Sequence, residues 1–321
     1  MTIDDSRIGE GAASCQLVES GPVVATSQGQ LIERLRITAH GSAGITVGGL
    51  SDVVIQDCEI LHDGAHGIDF SSAPGLTIRR TRVVHTGAPD SGPNPSSGLN
   101  NIQGYDSSDV TIESVRLDRG SSGIYLLESP RARMRFIEGH DFRGPLPRGQ
   151  LVQLDDSDDA SLEDFWCDNP AATSWPEDNV SVYVSSNVTV RRGLITGNNA
   201  PTGAGVKFDS AIGGLCEDVD TFDMGNGSFS SEEASGVAFV RTRARENHCE
   251  GQAGREPPAS GGLVWGASPG SSEIRIEASR YYDLCNPDNL VWDTDVVVPP
   301  VDLVEEDFAL RAPTVVDFCW E

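Results

Sequence analysis

Reactive side chains recur in this sequence at one phase of a repeating pattern. The only lysine, Lys207, stands two residues before Asp209, and the other members of the 23 Lys and Arg residues are all Arg. Gln153 and Asp155 share that two-residue spacing, and Tyr105, Tyr125 and Tyr183, three of only five tyrosines, fall in equivalent segments. Asp155 and Asp209 offer the separated acid and base that hydrolysis of a glycosidic bond with inversion requires. Lys207 or Tyr125 offers a base for removing the proton beside a carboxylate, with Arg148 neutralising the charge that develops, which is the chemistry of elimination or epimerisation at a uronate. His66, Asp69, Gln103, Tyr105, Gln153, Tyr183 and Arg148 are the candidate binding groups, since tyrosine faces make platforms for the apolar faces of sugar rings. The carboxylates alternatively supply oxygen ligands for Ca2+ gripping a uronate, although no EF-hand loop is present.

A repeat must position these groups, because helical spacing is absent and period-two alternation with β-branched residues recurs. The segments GITVGGLSDVVI from Gly44, GIDFSSAPGLTI from Gly67, NIQGYDSSDVTI from Asn101, GIYLLESPRARM from Gly123, LVQLDDSDDASL from Leu151 and NVSVYVSSNVTV from Asn179 align without gaps. GVKF from Gly205, GVAF from Gly236, GLVW from Gly262 and NLVW from Asn289 continue the series. The base unit is about 22 residues, lengthened by insertions. Each unit holds a short alternating strand, two polar residues, a second strand such as DVVIQD and a third such as CEIL.

In the strand G-I-x-V-x the second and fourth residues face inward and the third and fifth outward. The inward column therefore runs Ile45, Ile68, Ile102, Ile124, Val152, Val180, Val206, Val237, Leu263, Leu290. The outward third positions run from Thr46 through Asp69, Gln103, Tyr125, Gln153, Ser181 and Lys207 to Ala238 and Val264. The outward fifth positions run from Gly48 through Ser71, Tyr105, Leu127, Asp155, Tyr183 and Asp209 to Val240 and Gly266. Asp155 and Asp209 then lie two coils, roughly 9–10 Å, apart.

Three short strands per turn in constant register predict an all-β solenoid of about ten coils, and over residues 31–300 the sequence resembles the right-handed parallel β-helix (pectate-lyase-like) repeat family. That resemblance implies a carbohydrate-active protein, a group that includes polysaccharide lyases, polygalacturonase-like hydrolases, alginate-type epimerases and phage or adhesin fibres. HDGAHGIDF at 62–70 looks like the G-H-G element of polygalacturonase-like hydrolases, and LDD at 154–156 like their paired-Asp element. The order of the two is reversed here, an Arg-x-Lys element is missing, and so is the Asp-Pro-His run of alginate-type epimerases. The leading expectation is a lyase or epimerase acting on a uronate-containing polysaccharide. A hydrolase using Asp155 and Asp209, or a non-catalytic glycan-binding or structural solenoid, is the alternative.

Net charge of −26, from 49 acidic and 23 basic residues, excludes a nucleic-acid partner. No apolar run reaches the ~20 residues of a membrane-spanning helix, and MTIDDSRIGEGAAS lacks the features of a signal peptide, so a soluble protein is expected, secreted or periplasmic if a leader has been removed. Insertions at 85–100, 140–150, 169–179, 224–235 and 250–261 precede the first strand of a coil and predict a wall of loops along one sheet edge. Residues 1–30 and 301–321 are the expected terminal caps. Seven cysteines without a CxxC pair argue against structural zinc. Cys58 and Cys167 are expected as buried thiols, and Cys249 and Cys285, before loops of neighbouring coils, as a candidate disulfide. His62 and His85, at the ends of adjacent third strands, are expected to be a solvated or hydrogen-bonded pair rather than a metal site.

Overall fold

The computed structural model describes residues 16–251, 254–257, 261–267, 270–292 and 300–321. Among them, one 3-10 turn at Pro287–Asn289 is the only helical element, and all strand pairing is parallel between successive coils. The first sheet stacks eleven strands, from Val23–Val24 through Ile45–Gly48, Ile68–Ser71, Ile102–Tyr105, Ile124–Leu127, Val152–Asp155, Val180–Tyr183, Ala204–Asp209, Gly227–Glu232 and Gly262–Ala267 to Val291–Trp292. The second sheet fuses the expected second and third strands of most coils into one bent strand, as in Thr77–His85 and Ser161–Asp168. The bend sits at a residue in the left-handed region, Arg80, Ser114, Phe136, Asp164, Arg192 or Asp218.

Why these residues make these coils follows from what they bury. Ile45, Ile68, Ile102, Ile124, Val152, Val180 and Val206 pair coil to coil and are essentially inaccessible to solvent. Gly104 is an inward position without a side chain because a Cβ there would lie 2.3 Å from Phe70 Cζ, so the ring of one coil fills the space of the next. At the corner after the first sheet, Ser107, Ser129, Ser157 and Ser185 form a buried ladder. The amides of Ser107, Ser129 and Ser157 donate to the hydroxyl one coil on, at 2.8–3.3 Å, and each hydroxyl donates to the carbonyl two residues back. The ladder satisfies backbone groups where the chain leaves the sheet.

Beyond Val206 the register departs from the one expected. Phe229 pairs with Val206, and Val264 and then Val291 follow it, in place of Val237, Leu263 and Leu290. Ser235–Val240 instead joins the second sheet beside Ile212–Met224. GSFSSE shows one large apolar inward residue, Phe229, and so hides its alternation, whereas GVAFV shows the motif but places it on another face. Ala238, Val264 and Val240 therefore leave the outward columns, and Ser230, Trp265 and Trp292 continue from Lys207 while Glu232 continues from Asp209.

Val18–Ser20 and Val23–Val24 already pair as first strands of the two sheets, and residues 1–15 lie outside the described residues. Val304–Glu305 extends the second sheet, after which the chain turns back along its flank. There the Arg311 amide donates to Asp220 (2.8 Å), the Val316 amide to Glu138 (2.6 Å), and Arg82 meets Glu321 at 3.1 Å. Cys58 and Cys167 are buried thiols, Cys249 and Cys285 are joined in a disulfide, and the buried rings of His62 and His85 lie 5.1 Å apart. His62 hydrogen-bonds Ala65 O and Asn101.

Candidate functional site

The outward positions of the first sheet divide into two strips. On the third-position strip the loops fold over the sheet, so that Gln103, Tyr125, Gln153 and Ser181 are all less than a tenth exposed. On the fifth-position strip Tyr105 and Tyr183 each keep 40% of their surface, with Leu127 and Asp155 between them and Asp209 and Glu232 beyond. The accessible face is thus the fifth-position strip, and the loop wall buries the polar column beside it.

Arg148, from the loop at 140–150, locks that wall. Its guanidinium lies 3.9 Å from the Tyr125 ring centre and donates to Gln153 Oε1 at 2.9 Å. Tyr125 in turn packs edge-on against Tyr105 and donates its hydroxyl to Asp155 at 3.0 Å. Burial, then the Asp155 charge, push the Tyr125 hydroxyl up to about 12, which makes it a donor and not a base near neutral pH. Burial also raises the Asp155 carboxyl above the usual range, against the opposing pull of Tyr125 and Arg148.

Two coils along, Lys207 Nζ lies 2.7 Å from Glu232 and 3.3 Å from Asp209. Desolvation alone would lower its pKa, but Asp178, Glu232 and Asp209 outweigh it and hold the amine charged. A lysine pinned as ammonium in this way is a poor proton acceptor. Glu177 and Asp178 enter from the loop at 169–179. Asp178 is buried, accepts a hydrogen bond from the Ala204 amide at 2.8 Å, and is pushed up to about 7 by burial against the pull of Lys207; Glu177 is raised by the same cause. Arg255 covers Trp175 at 4.7 Å, donates to Pro176 O and Asn199, and burial brings it down to about 10.

Most of the candidate residues are therefore brought together: Tyr105, Tyr125, Asp155, Gln153, Arg148, Tyr183, Lys207 and Asp209 occupy five consecutive coils and the loop over them. Gln103 is turned into the wall, bonded by Asn100 at 2.6 Å. His66 and Asp69 sit at the amino-terminal end of the strip, with the His66 pKa lowered by burial. Glu177, Asp178, Glu232, Arg255, Trp265 and Trp292 were absent from the sequence-based set. Among the described residues no group of three or more His, Cys, Asp and Glu is arranged to hold a metal ion. A separate depression of about 510 Å³ at the adjoining corner is lined by Ser72, Pro74, Asp106, Ser108, Glu128 and Pro130, with neither cation nor aromatic ring.

Residues 23–144 match the family model described as right handed beta helix region. The chain folds as a right-handed parallel β-helix. This β-helix is similar to solved structures across nearly its whole length at low identity. They include the Dettilon tailspike protein gp208 (TM-score 0.57, 10% identity, 91% of this chain and 60% of that one). DFA-IIIase from Arthrobacter chlorophenolicus A6 in complex with GF2 gives 0.56 and 11% over 87% and 71% of the two chains. Polygalacturonase from Erwinia carotovora ssp. carotovora gives 0.51 and 11% over 91% and 87%. The β-helix thus spans 60% of the length of the tailspike, and at such identities the likeness is one of fold. No curated protein matches it in sequence. Among the described residues, no helix is long and apolar enough to cross a membrane.

Proposed function

We propose that this β-helix binds a polysaccharide along the fifth-position strip of its first sheet and hydrolyses it with Asp155 as acid and Asp209 as base. The observation that carries this reading is the pair itself. Asp155 and Asp209 occupy one outward column, two coils apart, on either side of the exposed Tyr183. Two strand spacings place their backbones about 9–10 Å apart, which suits two carboxyls separated by a sugar and a water. Their surroundings differ: burial favours the protonated form of Asp155, while Asp209 lies 3.3 Å from the Lys207 ammonium. The elimination reading is weaker, because Tyr125 and Lys207, its two candidate bases, are both held in their protonated forms. Solved proteins sharing the fold include a polygalacturonase and DFA-IIIase, which is consistent with glycan chemistry on such a sheet.

Reducing-end release from a panel of polysaccharides tests the proposal, with Asp155→Asn and Asp209→Asn as controls. Release that both substitutions abolish is the expected result. Product absorbing as an unsaturated uronate would replace hydrolysis by elimination, and binding without product would leave a glycan-binding solenoid.

A further inference from the structure

The corrected register puts two tryptophans on the face that carries the proposed site. Trp265 and Trp292 continue the outward column of Lys207 and Ser230, with ring centres 6.1 Å apart. Trp292 is 42% exposed and Trp265 partly so, and the Lys207 ammonium lies 5.7 Å from the Trp265 ring centre. An inward-facing tryptophan at the end of a solenoid would serve packing. These two face outward, on the same sheet as Tyr105 and Tyr183.

Spacing gives the pair its meaning. Tyr105 and Tyr183 are three coils apart, and Trp265 is three coils beyond Tyr183. Aromatic platforms thus recur at about 14 Å intervals along the solenoid axis, Tyr105 and Tyr183 on the fifth-position column and Trp265 and Trp292 on the third-position column roughly 7 Å to its side, and this two-column row from Tyr105 to Trp292 is about 34 Å long. Asp155 and Asp209 lie within this row, one coil before and one coil after Tyr183.

Charge identifies what such a row accepts. Each cation beside it is already engaged: Lys207 by Asp209 and Glu232, Arg148 by Gln153 and the Tyr125 ring, Arg255 by Pro176 O and Asn199. A polyuronate would bring a carboxylate on each ring to a strip bearing Asp155, Asp209 and Glu232, on a chain of net charge −26. Repulsion and desolvation without a compensating cation oppose that. Apolar sugar faces meet no such penalty on tyrosine and tryptophan rings.

We propose that Trp265 and Trp292 form a distal subsite for an uncharged glycan, extending the row that begins at Tyr105, so that the ligand is a long neutral polysaccharide. This inference rests on reading the first sheet as a glycan face, but it does not require turnover.

Binding of the full chain is therefore measured directly, by affinity electrophoresis in gels containing a β-glucan, a galactomannan or a galactan, and in parallel gels containing polygalacturonate or alginate. Retardation by an uncharged polymer and none by the polyuronates is expected. Trp265→Ala and Trp292→Ala should each weaken retention on the long polymer roughly three- to tenfold. Affinity for a trisaccharide of the same sugar, too short to span from Tyr183 to Trp265, should stay unchanged. Trp292→Phe should retain most of the affinity, which separates loss of stacking from loss of folding, and thermal midpoints of all variants check the latter. Retention on polyuronates alone, retention on none of the uncharged polymers, or tryptophan variants that bind the long polymer as tightly as the parent would each overturn the subsite. Absence of reducing-end release with binding intact would instead remove only the hydrolytic reading.

Discussion

Two faces of the same solenoid carry carboxylates beside cations, and their chemistry runs in opposite directions. Along the bent corner of the second sheet Arg80 clasps Asp57 with two hydrogen bonds, Arg192 clasps Asp164 and Glu163, and Arg241 clasps Asp218 and Glu217. The hydrogen bonds from arginine hold Asp164 and Asp218 below the usual carboxylate range. On the first sheet and in the loop over it, burial pushes Asp155, Glu177 and Asp178 up. Pairing across one coil at an open corner settles charge cheaply, whereas the loop wall takes carboxyls out of water without giving each its own cation. Groups poised in that second way are suited to proton transfer, and groups settled in the first way to keeping coils in register.

The largest effect that separates the two faces is on turnover. Asp155→Asn or Asp209→Asn should lower reducing-end release by on the order of 10²–10⁴, the usual loss when a positioned acid or base is removed. Asp164→Asn, on the other face, should leave it unchanged. Equal losses from all three would mean that the contrast in environment has no bearing on chemistry.

Next comes Lys207→Ala, which strands Asp209 and Glu232 without their shared cation. Lys207 keeps only 14% of its side-chain surface exposed. Its removal should cost on the order of 2–3 kcal/mol of stability, below the ~3–5 kcal/mol of breaking a fully buried pair. Turnover should fall as well, because the Asp209 side chain then loses the cation 3.3 Å away that holds it in place. Thermal denaturation together with reducing-end assays distinguishes this from the behaviour of a catalytic base, whose loss would leave the midpoint almost unmoved.

How much of this was legible differed from coil to coil. From Gly44 to Asp209 each first strand shows two apolar inward residues, or one opposite a glycine, so period two alone placed Asp155, Tyr183 and Asp209 on one face. At Gly227–Glu232 the inward residues are Phe229 and Ser231, the alternation fades, and the next strand supplies a decoy in GVAFV. That single slip concealed Glu232, Trp265 and Trp292. Glu177 and Asp178 were hidden for another reason, since alternation says nothing about where an inserted loop folds. Their position immediately before Val180 was the available signal, because residues adjoining a strand start must lie at its edge.

A subtler contrast lies in the pH dependence of stability. Asp178, raised to about 7, binds its proton more tightly folded than unfolded, so its contribution favours the folded state at low pH and is lost as pH rises from the usual carboxylate range towards 7. Asp164 and Asp218, lowered, contribute stability above the unfolded range that is lost as pH falls through their folded values. Asp178→Asn should therefore flatten the decline of the thermal midpoint between pH 4 and about 7 while leaving the loss below pH 4 intact. A decline of undiminished slope in that variant would show that Asp178 is ionised throughout.

The smallest expected effect concerns the corner itself. Arg192 is about a third exposed and shares its guanidinium between Glu163 and Asp164, both of which have a second arginine nearby in Arg191 and Arg135. Solvent screens such pairs, and the remaining arginines take up part of the load, so Arg192→Gln should cost at most about 1 kcal/mol. The cost should shrink as salt rises from 10 mM towards 1 M, because the Debye length falls from about 30 Å to about 3 Å. Lys207→Ala, behind its loops, should keep most of its cost over the same range. Parallel salt titrations of the two midpoints thus measure how far the wall shields the first sheet: similar salt sensitivity in both variants would mean that the site is as wet as the corner, and the raised carboxyls would lose their physical cause.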